Sequence, residues 1–247
     1  VLNQKIAVAS ADGGSFSAYL AIPAAGLGAG VLVIQEVFGI NEVMRKIADS
    51  YAEAGYVAIV PDLFWRQEPN VELTDRTEAE WNRAIELYQG FDEDKGVEDL
   101  IATLNAFREM PSCTGKVGTV GFCLGGKLAY LMATRSDADC NVSYYGVAIE
   151  NNLEEAGNIK KPLMLHIAEN DRFVRPETQA AIRAELSGNQ LVTVYSYPGA
   201  DHAFARVGGQ PYSEEVAQLA NSRTLEFFKQ HLGQSGALLS PRRLLNK

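Results

Sequence analysis

Short apolar runs recur along the chain with helical patterns between them, and this alternation limits the fold more than any other feature. Val31-Leu32-Val33-Ile34 is rich in β-branched residues, as expected of a strand buried on both faces. Residues 43–54 have helical spacing, with Gly55 just past their end. Residues 56–60 read as the next strand, stopped by Pro61. Residues 96–110 read as a helix ended by Pro111, 117–122 as a strand and 127–133 as a helix. Further strands are expected at 142–145, 162–168 and 191–197, with helices at 177–186 and 214–231. Strands separated by helices predict an α/β fold, a mostly parallel central sheet with helices on both faces. In such sheets ligands bind at the carboxyl ends of the strands, so the loops there carry the chemistry.

Composition narrows the function classes. The chain has 247 residues, 47% of them hydrophobic, enough to bury a core. Its formal charge of −9 and pI near 4.9 argue against a nucleic-acid partner. No apolar run approaches the roughly 20 residues that span a bilayer, so no membrane partner is expected. Three cysteines in a long chain do not make a disulfide framework. Reduced thiols are the simpler reading. Residues 1–5 lack the pattern of a signal peptide, and a cytoplasmic protein is expected. No repeat breaks the chain, so residues 1–247 are read as one domain.

Residues 62–95 fit the alternation least well, and a lid-like helical segment is expected there. Thr77 and Glu80 make a capping box, after which Trp81, Ala84, Ile85 and Tyr88 share one helical face ended by Gly90. That face packs on the core, closes over a pocket, or does both. The tail after Gly236 is expected to be loosely held.

Gly121-Phe122-Cys123-Leu124-Gly125-Gly126 joins an expected strand to an expected helix. This is the G-x-S-x-G nucleophile elbow with Cys in place of Ser. Small neighbours are needed where the sharp turn crowds backbones. The turn points the nucleophile at a helix N-terminus, where free N–H groups and the dipole favour a thiolate and an oxyanion. An unperturbed cysteine is only about 3% ionised at pH 7, and roughly 2 kcal/mol of help is needed to change that. A dipole and a nearby imidazole can supply it. Cys113 and Cys140 have no comparable context and read as structural.

A cysteine nucleophile needs a base, and the base needs an orienting acid. Of the three histidines, His166 lies inside a strand run and reads as a core residue. His231 ends a helix, where a cation suits the dipole. His202 follows a strand on the active edge and is the expected base. Asp171 follows another strand and is the expected acid, with Glu169 the alternative. The order Cys123, Asp171, His202 matches the nucleophile-acid-base order of hydrolases of this architecture. The loop Gln35-Glu36-Val37-Phe38-Gly39 follows the first strong strand and should give the second oxyanion donor near Val37, with Leu124 giving the first. Glu36 would face the thiol, hydrogen-bond to it and keep it protonated at rest, or simply turn to solvent.

The chain resembles the dienelactone hydrolase family (carboxymethylenebutenolidases). The resemblance rests on Gln35-Glu36-Val37-Phe38-Gly39 with Asn41, Val60-Pro61-Asp62-Leu63, Val120 to Gly126, and Tyr144-Tyr145-Gly146. Asp171-Arg172-Phe173-Val174 and His202-Ala203-Phe204-Ala205-Arg206 complete it. It implies a monomeric, cofactor-free α/β-hydrolase, without a metal, that opens small lactones. Cys123 would be the nucleophile, His202 the base and Asp171 its orienter. A substrate carboxylate would engage Arg206 and disturb Glu36, which would then take the Cys123 proton. The thiolate would attack the lactone carbonyl, with the oxyanion on the N–H groups of Val37 and Leu124. Phe38, Trp81, Ile85, Tyr88 and Tyr145 would line the substrate site.

This sequence departs from the family in the lid helix, which usually supplies an arginine, a tyrosine and a tryptophan. Here Trp81, Ile85 and Tyr88 stand there, and Arg76 and Arg83 are expected off that face. Ala203 stands where a Ser or Gly is usual, and Asp201 where Gly is usual. These changes suit a less charged or bulkier ester or lactone. The alternatives are a broader carboxylesterase or thioesterase with the same three residues, or a non-catalytic ligand-binding member of the fold.

Overall fold

The computed structural model describes residues 1–233. The expected looseness after Gly236 lies outside the described residues. Eight strands form one sheet: β1 (Leu2–Ala9), β2 (Ser15–Ile22), β3 (Gly28–Ile34), β4 (Val57–Pro61), β5 (Cys113–Phe122), β6 (Cys140–Tyr144), β7 (Leu163–Ala168) and β8 (Val192–Tyr197). Their spatial order is β1-β2-β4-β3-β5-β6-β7-β8. β1 and β2 form an antiparallel hairpin, and β2 runs antiparallel to β4. Every other pairing is parallel. This is the mostly parallel sheet of the α/β-hydrolase fold, as the alternation predicts.

β3, β4, β6 and β7 are buried along their whole length, which their continuous apolar runs require. Six helices cover them: α1 (Glu42–Glu53), α2 (Glu78–Gln89), α3 (Glu93–Arg108), α4 (Leu124–Arg135), α5 (Pro176–Leu186) and α6 (Glu214–Leu232). A 3-10 stretch, Ile149–Asn158, was not expected. α3 starts three residues earlier than its predicted start, because the Asp92 side chain caps it by accepting from the Lys95 N–H at 3.0 Å. Among the described residues no helix is long and apolar enough to cross a membrane.

The register of β3 on β5 pairs Ile34 with Gly121. The two loops that leave these strands, Gln35–Gly39 and Cys123–Leu124, therefore start side by side. The first is fixed by side chains the sequence supplies. The Gln35 amide oxygen accepts from Leu63 N–H at 3.0 Å. Asn41 accepts from Met44 N–H at 3.1 Å to cap α1, and donates to Leu73 O at 3.0 Å. The capping box ahead of α2 is half formed. Thr77 accepts from Glu80 N–H at 3.2 Å, but the Glu80 carboxylate reaches back to the Thr74 N–H at 3.0 Å rather than to that of Thr77.

Candidate active site

At the end of β5 the backbone turns sharply. Cys123 has φ 57° and ψ −113°, a left-handed conformation costly for any residue with a side chain. Two glycines make the turn possible. A Cβ on Gly121 would lie 1.8 Å from Gly125 O, and one on Gly125 would lie 2.3 Å from Ile34 O. Leu124 is the first residue of α4, where N–H groups have no acceptor inside the helix. Cys123 is itself buried, at 7% exposure.

The loops after β7 and β8 meet beside it. His202 Nδ1 lies 2.7 Å from Asp171 Oδ2, and both residues are buried. Asp171 Oδ1 accepts from Phe173 N–H at 2.8 Å, which fixes the carboxylate on its loop. The backbone joins the same two loops, with Asn170 N–H donating to Ala200 O at 2.9 Å. The Asn170 amide also donates to Asp201. The rings of Phe173 and Tyr145 meet the imidazole edge-on, with centroids at 4.8 and 5.2 Å. Burial works against a charge on His202, but Cys123 and Asp171 more than offset it and push its pKa up to about 10. Glu169, the alternative acid, is exposed.

The other two histidines lie elsewhere. His166 is buried in β7, with Nδ1 2.8 Å from the Tyr197 hydroxyl and Nε2 3.0 Å from the Thr224 hydroxyl. Burial, then Arg223, pulls its pKa down to about 3, so it is a neutral core residue. His231 was expected to serve as a cation at a helix end. Its pKa is instead lowered, by burial first and then by Lys116, which works against that charge. Cys113 and Cys140 begin β5 and β6 and stand apart from these groups.

Glu36 and Arg206 form a buried bidentate pair. Arg206 Nε donates to Glu36 Oε2 at 2.8 Å, and Nη2 donates to Oε1 at 3.1 Å. Burial opposes the charge on Arg206, and Glu36 restores it. Among the described residues Glu36 makes no hydrogen bond to Cys123 and does not turn to solvent; both its oxygens accept from the Arg206 guanidinium instead. The Phe38 ring lies under the guanidinium, 4.9 Å from its carbon. Sequence reasoning missed a third partner: Arg206 Nη1 donates to Asp75 Oδ2 at 2.8 Å.

An open cleft of about 1270 Å³ reaches Arg206, Asp75, Asp171 and His202, while Cys123 and Glu36 lie beneath its lining. Asp75, Trp81, Phe173, His202 and Arg206 stand in its wall. Trp81 stacks against Phe173 at 6.5 Å and lies 6.0 Å from Phe38. Of α2, the first-turn residues Glu78 and Trp81 border the cleft, whereas Ile85 and Tyr88, further along the helix, are half-buried and do not line it. Tyr88 remains close enough to Cys123 for a thiolate there to raise its pKa, added to the effect of burial. Tyr145 is buried at φ 37°, near Glu36, Arg206 and Cys123. Arg76, expected off the aromatic face, borders the cleft, whereas Arg83 pairs with Glu68 and Glu86. Arg172 also borders it, its guanidinium 4.7 Å from the Phe173 ring.

Comparison with known proteins places the chain in one family. The pattern that defines the dienelactone hydrolase family matches residues 16–232. A carboxymethylenebutenolidase of Pseudomonas sp. strain P51 is 38% identical over 229 residues, covering 93% of this chain and 96% of its own. A protein of Azospirillum brasilense, provisionally named for the same activity, is 49% identical over 239 residues, covering 92% of this chain and 99% of its own. A crystal structure from Klebsiella pneumoniae, provisionally named a dienelactone hydrolase, superposes with a TM-score of 0.78 at 27% identity. That match covers 92% of this chain and all of the other.

Proposed function

The chain belongs to the dienelactone hydrolase family and is a hydrolase of carboxylic esters or lactones, and from that membership we propose a specific reaction. The enzyme opens a small lactone or ester that carries a carboxylate, through a Cys123 thiolate and an acyl-enzyme. One observation carries the proposal. A strained cysteine at a helix N-terminus lies within electrostatic reach of a histidine whose other nitrogen is 2.7 Å from a buried carboxylate.

The Cys123 proton has two acceptors. His202, oriented by Asp171, is the first. Glu36 is the second, and it becomes available when an anionic substrate group draws Arg206 away from it. The thiolate attacks the carbonyl carbon, a C–S bond forms, and the oxyanion is held by the N–H groups of Val37 and Leu124. The ring C–O bond then breaks, and the leaving oxygen takes back the proton that left Cys123, from His202 or, where Glu36 accepted it, from Glu36. Water, deprotonated by His202, attacks the thioester and returns the thiol. Phe38, Trp81 and Tyr145 give the ring its apolar walls, with Tyr88 and Ile85 behind them. No cofactor or nucleic acid enters this scheme, and a monomer in the cytoplasm suffices for it.

The cleft volume favours a second reading, a carboxylesterase or thioesterase that accepts bulkier groups with the same residues. Initial rates on cis- and trans-dienelactone by wild type and Cys123→Ala separate the cases. The proposal expects turnover by wild type and a loss of at least about a thousandfold in the variant. Retained turnover in the variant rejects the thiolate mechanism. No opening by a thiol-reactive wild type moves the substrate to the bulkier class.

A further inference from the structure

Each nitrogen of the Arg206 guanidinium already has a carboxylate partner. Nε and Nη2 serve Glu36, and Nη1 serves Asp75. Two negative charges therefore surround one positive charge at a group only 9% exposed. In this state the arginine offers little attraction to an incoming anion. A substrate carboxylate must first take a nitrogen from one of the two residents.

The two residents are not equally held. The Glu36 side chain is 2% exposed and bonded through both oxygens, whereas that of Asp75 is 22% exposed, bonded through one, and borders the cleft. Asp75 also sits between two anchored points of its loop. On one side Leu73 N–H donates to Phe38 O at 2.9 Å, and Glu72 pairs with Arg45 at 2.9 Å. Thr74, on that same side, and Thr77, on the other, are both tied to Glu80 in the first turn of α2. The backbone thus presents the Asp75 carboxylate to Arg206, and turning its side chain into the cleft frees Nη1 without moving the loop.

We propose that Asp75 is an internal occupant of the place where the substrate carboxylate binds, so that its displacement sets the enzyme's selectivity between anionic and neutral substrates. This rests on the reading that Arg206 holds that carboxylate. A carboxylate arriving from the cleft exchanges with Asp75 on Nη1, one charge-assisted hydrogen bond for another. Once seated there, it competes with Glu36 for the rest of the guanidinium. An arginine free of Asp75 for about a tenth of the time would bind the anion about tenfold more weakly than one always free. A neutral ester does not meet this competition.

The test compares kcat/KM for the mono-para-nitrophenyl ester of glutaric acid with that for para-nitrophenyl pentanoate, which has the same chain length without the charge. Asp75→Asn keeps the shape, and Asp75→Ser removes the charge with a different volume. Both are measured beside Arg206→Gln, after thermal unfolding has established that each variant is folded. The proposal expects the anionic-to-neutral ratio to rise about tenfold in both Asp75 variants, and to fall in Arg206→Gln. If Arg206→Gln lowers the ratio while neither Asp75 variant raises it, Asp75 is not the occupant, and the reading of Arg206 survives. If Arg206→Gln leaves the ratio unchanged, Arg206 does not hold the carboxylate and both ideas fall.

Discussion

Cys123 and His202 are 79 residues apart in numbering yet share one charge balance, and the proposed chemistry depends on that balance. Burial alone would neutralise the imidazole. Cys123 and Asp171 reverse this, so the imidazolium is present at low pH and is lost as pH rises through about 10. Replacing His202 by Gln removes the cation beside the sulfur. Alkylation of Cys123 by iodoacetamide at pH 7 should then slow by about tenfold or more. A rate equal to wild type would mean that His202 does not stabilise the thiolate. Cys123 and His202 could be singled out because each follows a strand and its residue type is scarce, three cysteines and three histidines in all, whereas Asp171, one of eleven aspartates, stood out only by its place after β7. Asp75 was not legible. Its partner Arg206 is 131 residues further along, and an aspartate in a polar loop segment gives no local sign of an ion pair.

At the scale of elements, the elbow works because strand and helix approach each other with no room for side chains. Gly125→Ala would drive a methyl group against Ile34 O at 2.3 Å and Gln35 O at 2.6 Å, both of them backbone atoms that cannot rotate away. The expected cost is about 3 kcal/mol or more, read as a fall in the denaturation midpoint. Gly157→Ala, with nothing within 4 Å, is the control and should be nearly silent. A Gly125→Ala protein as stable as this control would contradict the crowding argument. The elbow was readable because an apolar run leads into Gly121 and Gly125-Gly126 follow the cysteine, and β3 because of its β-branched run Val31–Ile34. The N-terminal hairpin was overlooked, although β2 carries the signal. Phe16, Ala18 and Leu20 point inward while Ser15, Ser17 and Tyr19 are more exposed. β1 has only Ile6 and Val8 on its core-facing side, and Val8 alone is fully buried, so its edge position hides it. The 3-10 stretch Ile149–Asn158 has too short a local pattern to be separated from loop.

Across the whole molecule, the parallel order of β3, β5, β6, β7 and β8 brings residues 36, 123, 171, 202 and 206 to one end of the sheet. The net charge of −9 does not forbid an anionic substrate, because the relevant cation is local and buried. That much followed from the alternation of strands and helices. Where the lid helix lies did not: α2 borders the cleft with its first turn alone, since its later turns bury Ala84 and Leu87 in the core. The central claim is a covalent acyl group on one sulfur of this assembly. The most direct test mixes wild type with the carboxylate-bearing nitrophenyl ester, quenches in acid within the first turnover, and maps the acyl mass by peptide sequencing. The account predicts the acyl group on the peptide that contains Cys123, and its absence from His202→Gln under the same conditions. An acyl group on any other residue, or full turnover with none trapped on Cys123, would contradict it.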